Sequence, residues 1–324
     1  MTQPGAVVAI INFNTREELR DCLESLRPNL GQVVVFDNKS TDGSPEMMRV
    51  DYPEAALMEN DENLGYGAAA NRVFSDGCAR SVEFLILSNS DVIFPPGSVD
   101  ALVDDLVRHP EAGIAGPRLL NADGTLQRSC FPLPGSLRWV FDNDGVSAIL
   151  AWIPGVRGQL FRLWEHDRDR EVPWVKGAVL AIRRTAFEEV GGFDESFFMY
   201  YEETDLCLRM AKKGWRVRFT PASEVSHLGG VSTAKVRTAM AVELFISSMR
   251  FARRHYSVLH STLLLGIWKA ILLVRLIRDR LRLAMTSHTQ ERQPIKDDLQ
   301  AWRRTLSWTF RDLEVPAANR KSPL

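Results

Sequence analysis

The feature that most narrows the fold is an alternation of two periodicities along the first hundred residues. Apolar, largely β-branched runs VVAIINF (7–13), VVVFDN (33–38) and FLILSN (84–89) are separated or followed by segments whose apolar residues recur at helical spacing, TREELRDCLESL, GAAANRVFSDGCA and SVDALVDDLVRH. Strands that alternate with helices are joined by crossovers. The rhythm therefore predicts an α/β protein with a mostly parallel, twisted sheet covered by helices on both faces. In such sheets ligands bind beyond the carboxyl ends of the strands, so the residues just after each run are where chemistry is expected.

Those positions hold Asn12-Phe13-Asn14, then DNKSTDGS from Asp37 to Ser44, then NSDV from Asn89 to Val92. Each alone is ordinary turn and helix-cap chemistry. Together they put carboxylates or carboxamides at three successive strand ends, and ENLGYGAAAN (62–71) adds glycines that let a backbone approach a ligand closely. No G-x-G-x-x-G follows the first strand and no GxxxxGK[ST] occurs, which excludes a dinucleotide fingerprint and a P-loop. The nucleotide site expected here is of another kind.

Composition removes further classes. With 45% hydrophobic and 25% charged residues over 324 positions, the chain is an ordinary folded protein, and a formal net charge of -1 gives no overall attraction to nucleic acid. The four cysteines, Cys22, Cys78, Cys130 and Cys207, are scattered with no CxxC pair, so neither a zinc site nor a disulfide framework is indicated and a reducing, cytoplasmic setting fits. The opening MTQPGAVVAIINFN has no basic region ahead of its short apolar run and reads as a tail entering a buried strand.

The stretch MYYEETDL (199–206) crowds Glu202, Glu203 and Asp205 into four positions. Acids gather in the first turn of a helix because the macrodipole favours negative charge there, and Leu206, Met210 and Ala211 suit the buried face of such a helix. The same carboxylates, pressed together, would repel one another and raise a pKa toward working pH, which is what a general base needs.

The order IINFN, VVVFDNKSTDGS, DENLGYGAAAN, LSNSDV, WVKGAVLAIRR, GGFDESFFMYYEETDLCLRMAKKGW and HLGG resembles family 2 of the inverting glycosyltransferases with the GT-A fold, in particular its bacterial rhamnosyltransferase-type members. The likeness runs through about residues 6 to 235 in unbroken order, with Asp61 where that motif has Asn. It implies a catalytic domain over residues 1–235 and a helical C-terminal region over 236–324. Asp37 would receive the base, accepting the imide N–H of uracil or thymine, with Asn12, Asn14, Asn63, Gly65, Asn71 and Asn89 completing the nucleotide site. The DxD metal motif of the family stands here as Asn89-Ser90-Asp91, keeping only its last acid, and His227 matches a second ligand for Mg²⁺ or Mn²⁺. MYYEETDL aligns with the segment holding the base, so Glu203 is the expected catalytic residue, with Asp205 the alternative and Glu202 beside them. Trp174, Lys176 and Gly177 fall where relatives shape the acceptor and pyrophosphate side.

The activity so implied is transfer of a sugar, L-rhamnose from dTDP-L-rhamnose above others, from a nucleoside-diphosphate donor to a polyprenyl-diphosphate-linked or polysaccharide acceptor in cell-wall or surface-glycan synthesis. A UDP-sugar transferase and a non-catalytic sugar-nucleotide binder on the same fold are the alternatives. A pyrophosphorylase would be expected to carry a Gly-rich, basic N-terminal loop, and IINFNTREEL has none. Between Arg250 and Arg282 eight Lys or Arg stand against one acid, Asp279, and VLHSTLLLGIWKAILLVRLI (258–277) is about long enough to span a bilayer yet contains Lys269 and Arg275. That pattern predicts a helix lying on an anionic membrane surface at the cytoplasmic face.

Overall fold

The computed structural model describes residues 5–76, 82–136, 160–161, 164–229, 237–285 and 289–309. Cys78, the end of the third predicted helix and Gly230 of the HLGG motif lie outside the described residues. Contacts divide the chain into two units, one of residues 1–194 with 202–232 and one of residues 195–201 with 233–324.

In the first unit the expected alternation appears as β1 (Ala6–Asn12), α1 (Arg16–Ser25), β2 (Val33–Asp37), α2 (Ser44–Asp51), β3 (Ala56–Glu59), α3 (Tyr66–Ser75) and β4 (Phe84–Asn89). It continues with β5 (Val92–Ile93), α4 (Ser98–Arg108), β6 (Ala112–Leu120), β7 (Leu126–Gln127), β8 (Cys130–Phe131), β9 (Arg170–Glu171) and β10 (Trp174–Val175). It closes with β11 (Val179–Arg183), α5 (Arg184–Glu189), α6 (Glu202–Lys212) and β12 (Arg216–His227). The main sheet runs β3-β2-β1-β4-β11-β6-β12-β5, and β8 pairs with β10 apart from it.

Parallel pairing holds for β3-β2-β1-β4 and for β6-β12, whereas β11 runs antiparallel to both β4 and β6. The sheet is thus mixed beyond β4, because an antiparallel strand can enter without the crossover helix that set the rhythm of the first hundred residues.

Residue parity decides which layer each strand residue joins. Val8, Ile10, Val33, Val35 and Ile86 pack with Leu19 and Leu23 of α1, Met47 and Met48 of α2, and Leu102 and Leu106 of α4. Val7, Ala9, Ile11, Val34 and Leu85 pack on the other side with Ala69 and Val73 of α3, Phe187 of α5, and Leu206 and Met210 of α6. Every residue of β1 is buried, as both faces are covered, and each such Val or Ile contributes about 1.5–3 kcal/mol on leaving water. A buried pair, Arg218 donating to Asp105 through Nε at 2.9 Å and Nη2 at 3.0 Å, ties β12 to α4.

The second unit contains α7 (Arg237–His255), α8 (Val258–Met285) and α9 (Thr289–Ser307). Phe245, Ile246 and Met249 of α7, Leu272 and Leu276 of α8, and Ile295, Leu299 and Trp302 of α9 make its core. Asp279 is buried within it, accepting from Arg278 Nε at 2.8 Å and Trp302 Nε1 at 3.0 Å. The segment 195–201 belongs to this unit: Ser247 Oγ donates to Met199 O at 2.8 Å, and the Tyr201 ring lies 5.5 Å from Phe251. Tyr200 and Tyr201 both have left-handed backbone, φ 66° and 69°, a conformation that costs bulky residues about 1–2 kcal/mol each.

Candidate active site

The carboxyl ends of β1, β2 and β4 bring the predicted strand-end residues together. Asn12 and Asp37 are register partners in β1 and β2, and both are buried. Asn12 Nδ2 donates to Asp37 Oδ2 at 2.8 Å, while Asp37 Oδ1 accepts the Ser40 N–H at 2.7 Å. The carboxylate is therefore held as a fixed acceptor at the sheet edge. Thr15 Oγ1 donates to Asn12 Oδ1 at 2.7 Å and lies 2.6 Å from Ser90 Oγ, which links the first strand end to the Asn89-Ser90-Asp91 turn.

Asn14 takes left-handed backbone, φ 53°, and its Oδ1 accepts from Thr41 N at 2.8 Å, so it braces the loop after β2. Asn63 Oδ1 caps the Gly65 N–H at 3.0 Å, and Gly65 has φ 82°, which glycine adopts without strain. Asn71 was expected beside the nucleoside. In the structure its carboxamide meets the backbone of Phe193, donating to Phe193 O and accepting from Phe193 N, both at 2.9 Å.

Asp91 and His227 converge. β5 pairs with the end of β12, opposing Val92 to His227, and this brings His227 Nε2 to 3.3 Å from Asp91 Oδ1 and 3.2 Å from Asn89 Nδ2. Two ligands about 2.2 Å from one ion and at right angles to each other stand roughly 3.1 Å apart, so one carboxylate oxygen and one imidazole nitrogen at this spacing fit a shared divalent cation. Among the described residues no third His, Cys, Asp or Glu joins them, which leaves the remaining positions to oxygens of a ligand or water.

The three crowded acids begin α6 as expected but point to three different partners. Asp205 is fully buried and accepts from Arg209 Nε one turn on, at 2.6 Å; Arg209 also donates to Val190 O at 2.8 Å. Glu202 is buried with its Cβ on the α3 side, 3.5 Å from where a Cβ on Gly67 would lie. Glu203 turns to Gly177, whose own missing Cβ would meet the Glu203 side chain at 3.5 Å.

Burial raises the Glu203 carboxyl above the ordinary glutamate value, against the backbone N–H groups of Glu203, Gly177 and Thr204 and the Lys176 ammonium, which pull it back. Its Oε2 is buried with no hydrogen-bond partner among the described residues. An unpartnered buried carboxylate oxygen is costly unless a substrate group completes it. The Tyr66 hydroxyl donates to Gly177 O at 2.6 Å and stays protonated, its pKa pushed far up by burial and then by Glu202, Glu203 and Asp91.

Burial lowers the pKa of Lys176, while the charges of Asp91 and Glu203 raise it, and its Nζ donates to Gln127 Oε1 at 3.0 Å. Trp174 stacks on Phe131 at 5.1 Å and donates from Nε1 to Pro132 O at 3.0 Å, which holds the WVKG segment from the side. Gly116 on β6 admits Val175 so closely that a Cβ would meet it at 2.9 Å. Ser40, Thr15, Ser90 and Tyr66 were not singled out in the sequence, where they read as turn and packing residues; neither was Gln127, for which no local signal exists.

The family model described as Glycosyl transferase family 2 matches residues 7–132, and that of Glycosyl transferase family group 2 matches residues 158–306. The N-acetylglucosaminyl-diphospho-decaprenol L-rhamnosyltransferase of Mycobacterium tuberculosis (strain ATCC 25618 / H37Rv) is 33% identical over 279 residues, 82% of this chain and 84% of that protein. Rhamnosyltransferase WbbL of Escherichia coli (strain K12) is 41% identical over 59 residues, 18% of this chain and 22% of that protein.

Among solved structures, the mannosyltransferase PcManGT from Pyrobaculum calidifontis in complex with GDP-Man and Mn²⁺ matches with TM-score 0.54 and 16% identity over 95% of this chain and 88% of that one. GalNAc-T7 with UDP, GalNAc and Mn²⁺ matches with TM-score 0.51 and 17% identity over 68% and 43%. At these identities the likeness is one of fold, and it is the GT-A fold expected from the sequence.

Proposed function

The chain belongs to glycosyl transferase family 2 and is a glycosyltransferase, and from that premise we propose that it transfers L-rhamnose, with inversion, from dTDP-L-rhamnose to a polyprenyl-diphosphate-linked sugar in cell-wall or surface-glycan synthesis. The observation that carries the reading is a convergent Asp91–His227 pair together with a buried Glu203 whose Oε2 has no hydrogen-bond partner among the described residues, with the charges of Asp91 and Glu203 both acting on the Lys176 ammonium. The mycobacterial relative, similar over most of both chains, supports the choice of sugar and acceptor.

In this mechanism Asp37 accepts the imide N–H of thymine, a hydrogen bond uracil also offers and cytosine does not. Glu203 takes the proton from the acceptor hydroxyl as that oxygen attacks the anomeric carbon from the face opposite the leaving diphosphate. Lys176 places a fixed positive charge beside the reacting groups. Asp91 and His227 would hold a Mg²⁺ or Mn²⁺ ion, which would supply charge stabilisation for the departing nucleoside diphosphate.

Incubation with Mn²⁺, a polyprenyl-diphosphate-linked N-acetylglucosamine and a panel of sugar nucleotides tests this directly. Release of dTDP with a rhamnosylated lipid product is expected. Turnover of a UDP-sugar in preference would replace the donor, and binding with no diphosphate release would favour the non-catalytic alternative.

The second unit supports a membrane-surface reading. By length and composition α8 could cross a bilayer. Yet Leu272, Leu276 and Asp279 pack it into a bundle with α9, which carries Asp297, Asp298, Arg303 and Arg304, and carrying those charges into lipid is prohibitive. On the opposite side Leu259, Leu263, Ile267, Val274, Ile277, Leu281 and Met285 are exposed in one stripe at helical spacing.

At 3.6 residues per turn, Lys269 and Arg280 flank that stripe on one side and Arg275, Arg278 and Arg282 on the other, the pattern of a helix lying in the headgroup region of anionic lipid. The full chain is expected to float with anionic vesicles and to be largely released by high salt. A chain that stays in solution at low salt would return α8 to a protein–protein role.

A further inference from the structure

Every hydrogen-bonding position of the Gln127 carboxamide is used. Oε1 lies 2.6 Å from His227 Nδ1 and accepts Lys176 Nζ at 3.0 Å; Nε2 donates to Asn121 Oδ1 at 2.9 Å and to His227 O at 3.2 Å. Two of these partners have only one role. An ammonium can only donate and a backbone carbonyl can only accept, so the amide can face just one way, oxygen toward Lys176 and nitrogen toward the His227 carbonyl.

The imidazole nitrogen facing the same oxygen must then be the one that carries the proton. His227 thereby carries its proton on Nδ1, which leaves Nε2, 3.3 Å from Asp91 Oδ1 and 3.2 Å from Asn89 Nδ2, as the ring nitrogen available to a cation. One side chain sets the orientation of the metal-side histidine and of Lys176.

We infer that Gln127 is a positioning residue for the transfer reaction: it holds the His227 proton on Nδ1, leaving Nε2 to ligate, and anchors the Lys176 ammonium. The inference rests on the reading of Asp91 and His227 as cation ligands for its catalytic consequence, though not for the tautomer itself. Outer-shell partners of ligating histidines generally affect metal affinity 10- to 100-fold, and the carboxamide here would act on the ligand and on the neighbouring cation at once.

The test uses the full chain with ¹⁵N-labelled histidine rings, His227 being assigned by difference against His227→Asn. In wild type at neutral pH the His227 signals are expected to be those of the Nδ1–H form. In Gln127→Met, which keeps the length and loses both acceptor and donor, they should shift to the Nε2–H form or to a mixture. Gln127→Glu keeps an acceptor toward both donors and should retain the wild-type tautomer.

Mn²⁺ titration in the presence of dTDP, followed by Mn²⁺ EPR, should show affinity weakened about 10- to 100-fold in Gln127→Met and by less in Gln127→Glu. A purely structural role would lower the melting temperature of both variants and leave tautomer and Mn²⁺ affinity at wild-type values, which would overturn the inference. If the tautomer responds as expected but Mn²⁺ affinity is insensitive to Asp91→Asn even in the wild-type background, the cation reading fails while the positioning of His227 stands. An Nε2–H tautomer in the wild type overturns the positioning itself.

Discussion

Glu203→Gln is expected to lower turnover about a hundredfold or more, a loss of about 2.7 kcal/mol of transition-state stabilisation, with the donor dissociation constant changed by no more than about twofold. The amide keeps the shape of the acid and cannot take a proton. It would sit at the start of α6 beside Gly177 as the carboxylate does, so the nucleotide site around Asp37 is undisturbed.

Asp205→Asn is the control. That carboxylate is committed to Arg209 at 2.6 Å, and its loss should appear as a lower melting temperature more than as a lower kcat. Steady-state kinetics on both variants, with donor affinity measured separately, decide the matter: abolished turnover in Asp205→Asn with activity kept in Glu203→Gln would exchange the two roles.

The same residue sets an expected pH profile. A base acts only when deprotonated, so activity is lost as pH falls through the folded-state pKa of Glu203. That pKa is raised above the ordinary 4.5 by burial, which places the acidic limb of kcat/KM above the usual glutamate range. Lys176 pulls in the other direction, so Lys176→Met should move the limb further toward alkaline pH.

Asp91→Asn is expected to reduce turnover about 10²- to 10³-fold and to remove the dependence on added Mn²⁺ or Mg²⁺, as a chelator should do to the wild type. Asp91 is the sole carboxylate of the pair, and the neutral amide is a poor ligand for a hard cation. His227→Ala leaves that anionic ligand in place, so excess Mn²⁺ should restore more of its activity than of Asp91→Asn. Metal titrations of the rate for all three proteins check this. Wild-type turnover that survives chelation unchanged, together with an active Asp91→Asn, would remove the cation from the mechanism.

The sequence alone determined the elements and the places where chemistry gathers. Continuous apolar runs required strands buried on both faces, helical spacing between them required crossovers, and the polar residues after Asn12, Asp37 and Asn89 had to collect at one edge of the sheet. The Asp205–Arg209 pair was not read from the sequence, where Asp205 stood as the alternative base, although residues four apart on a helix are neighbours.

Tertiary structure decided what each polar group faces. Successive residues at the start of α6 point about 100° apart, so Glu202 and Glu203 look alike in the sequence, and only the return of the chain through β10 puts Gly177 and Lys176 against one of them. Asn71 likewise lies 122 residues from the Phe193 backbone that takes its amide. Gln127 is 100 residues from His227 and 49 from Lys176. Hydrogen bonds act over about 3 Å, and no local pattern records which distant groups the fold will bring within that reach.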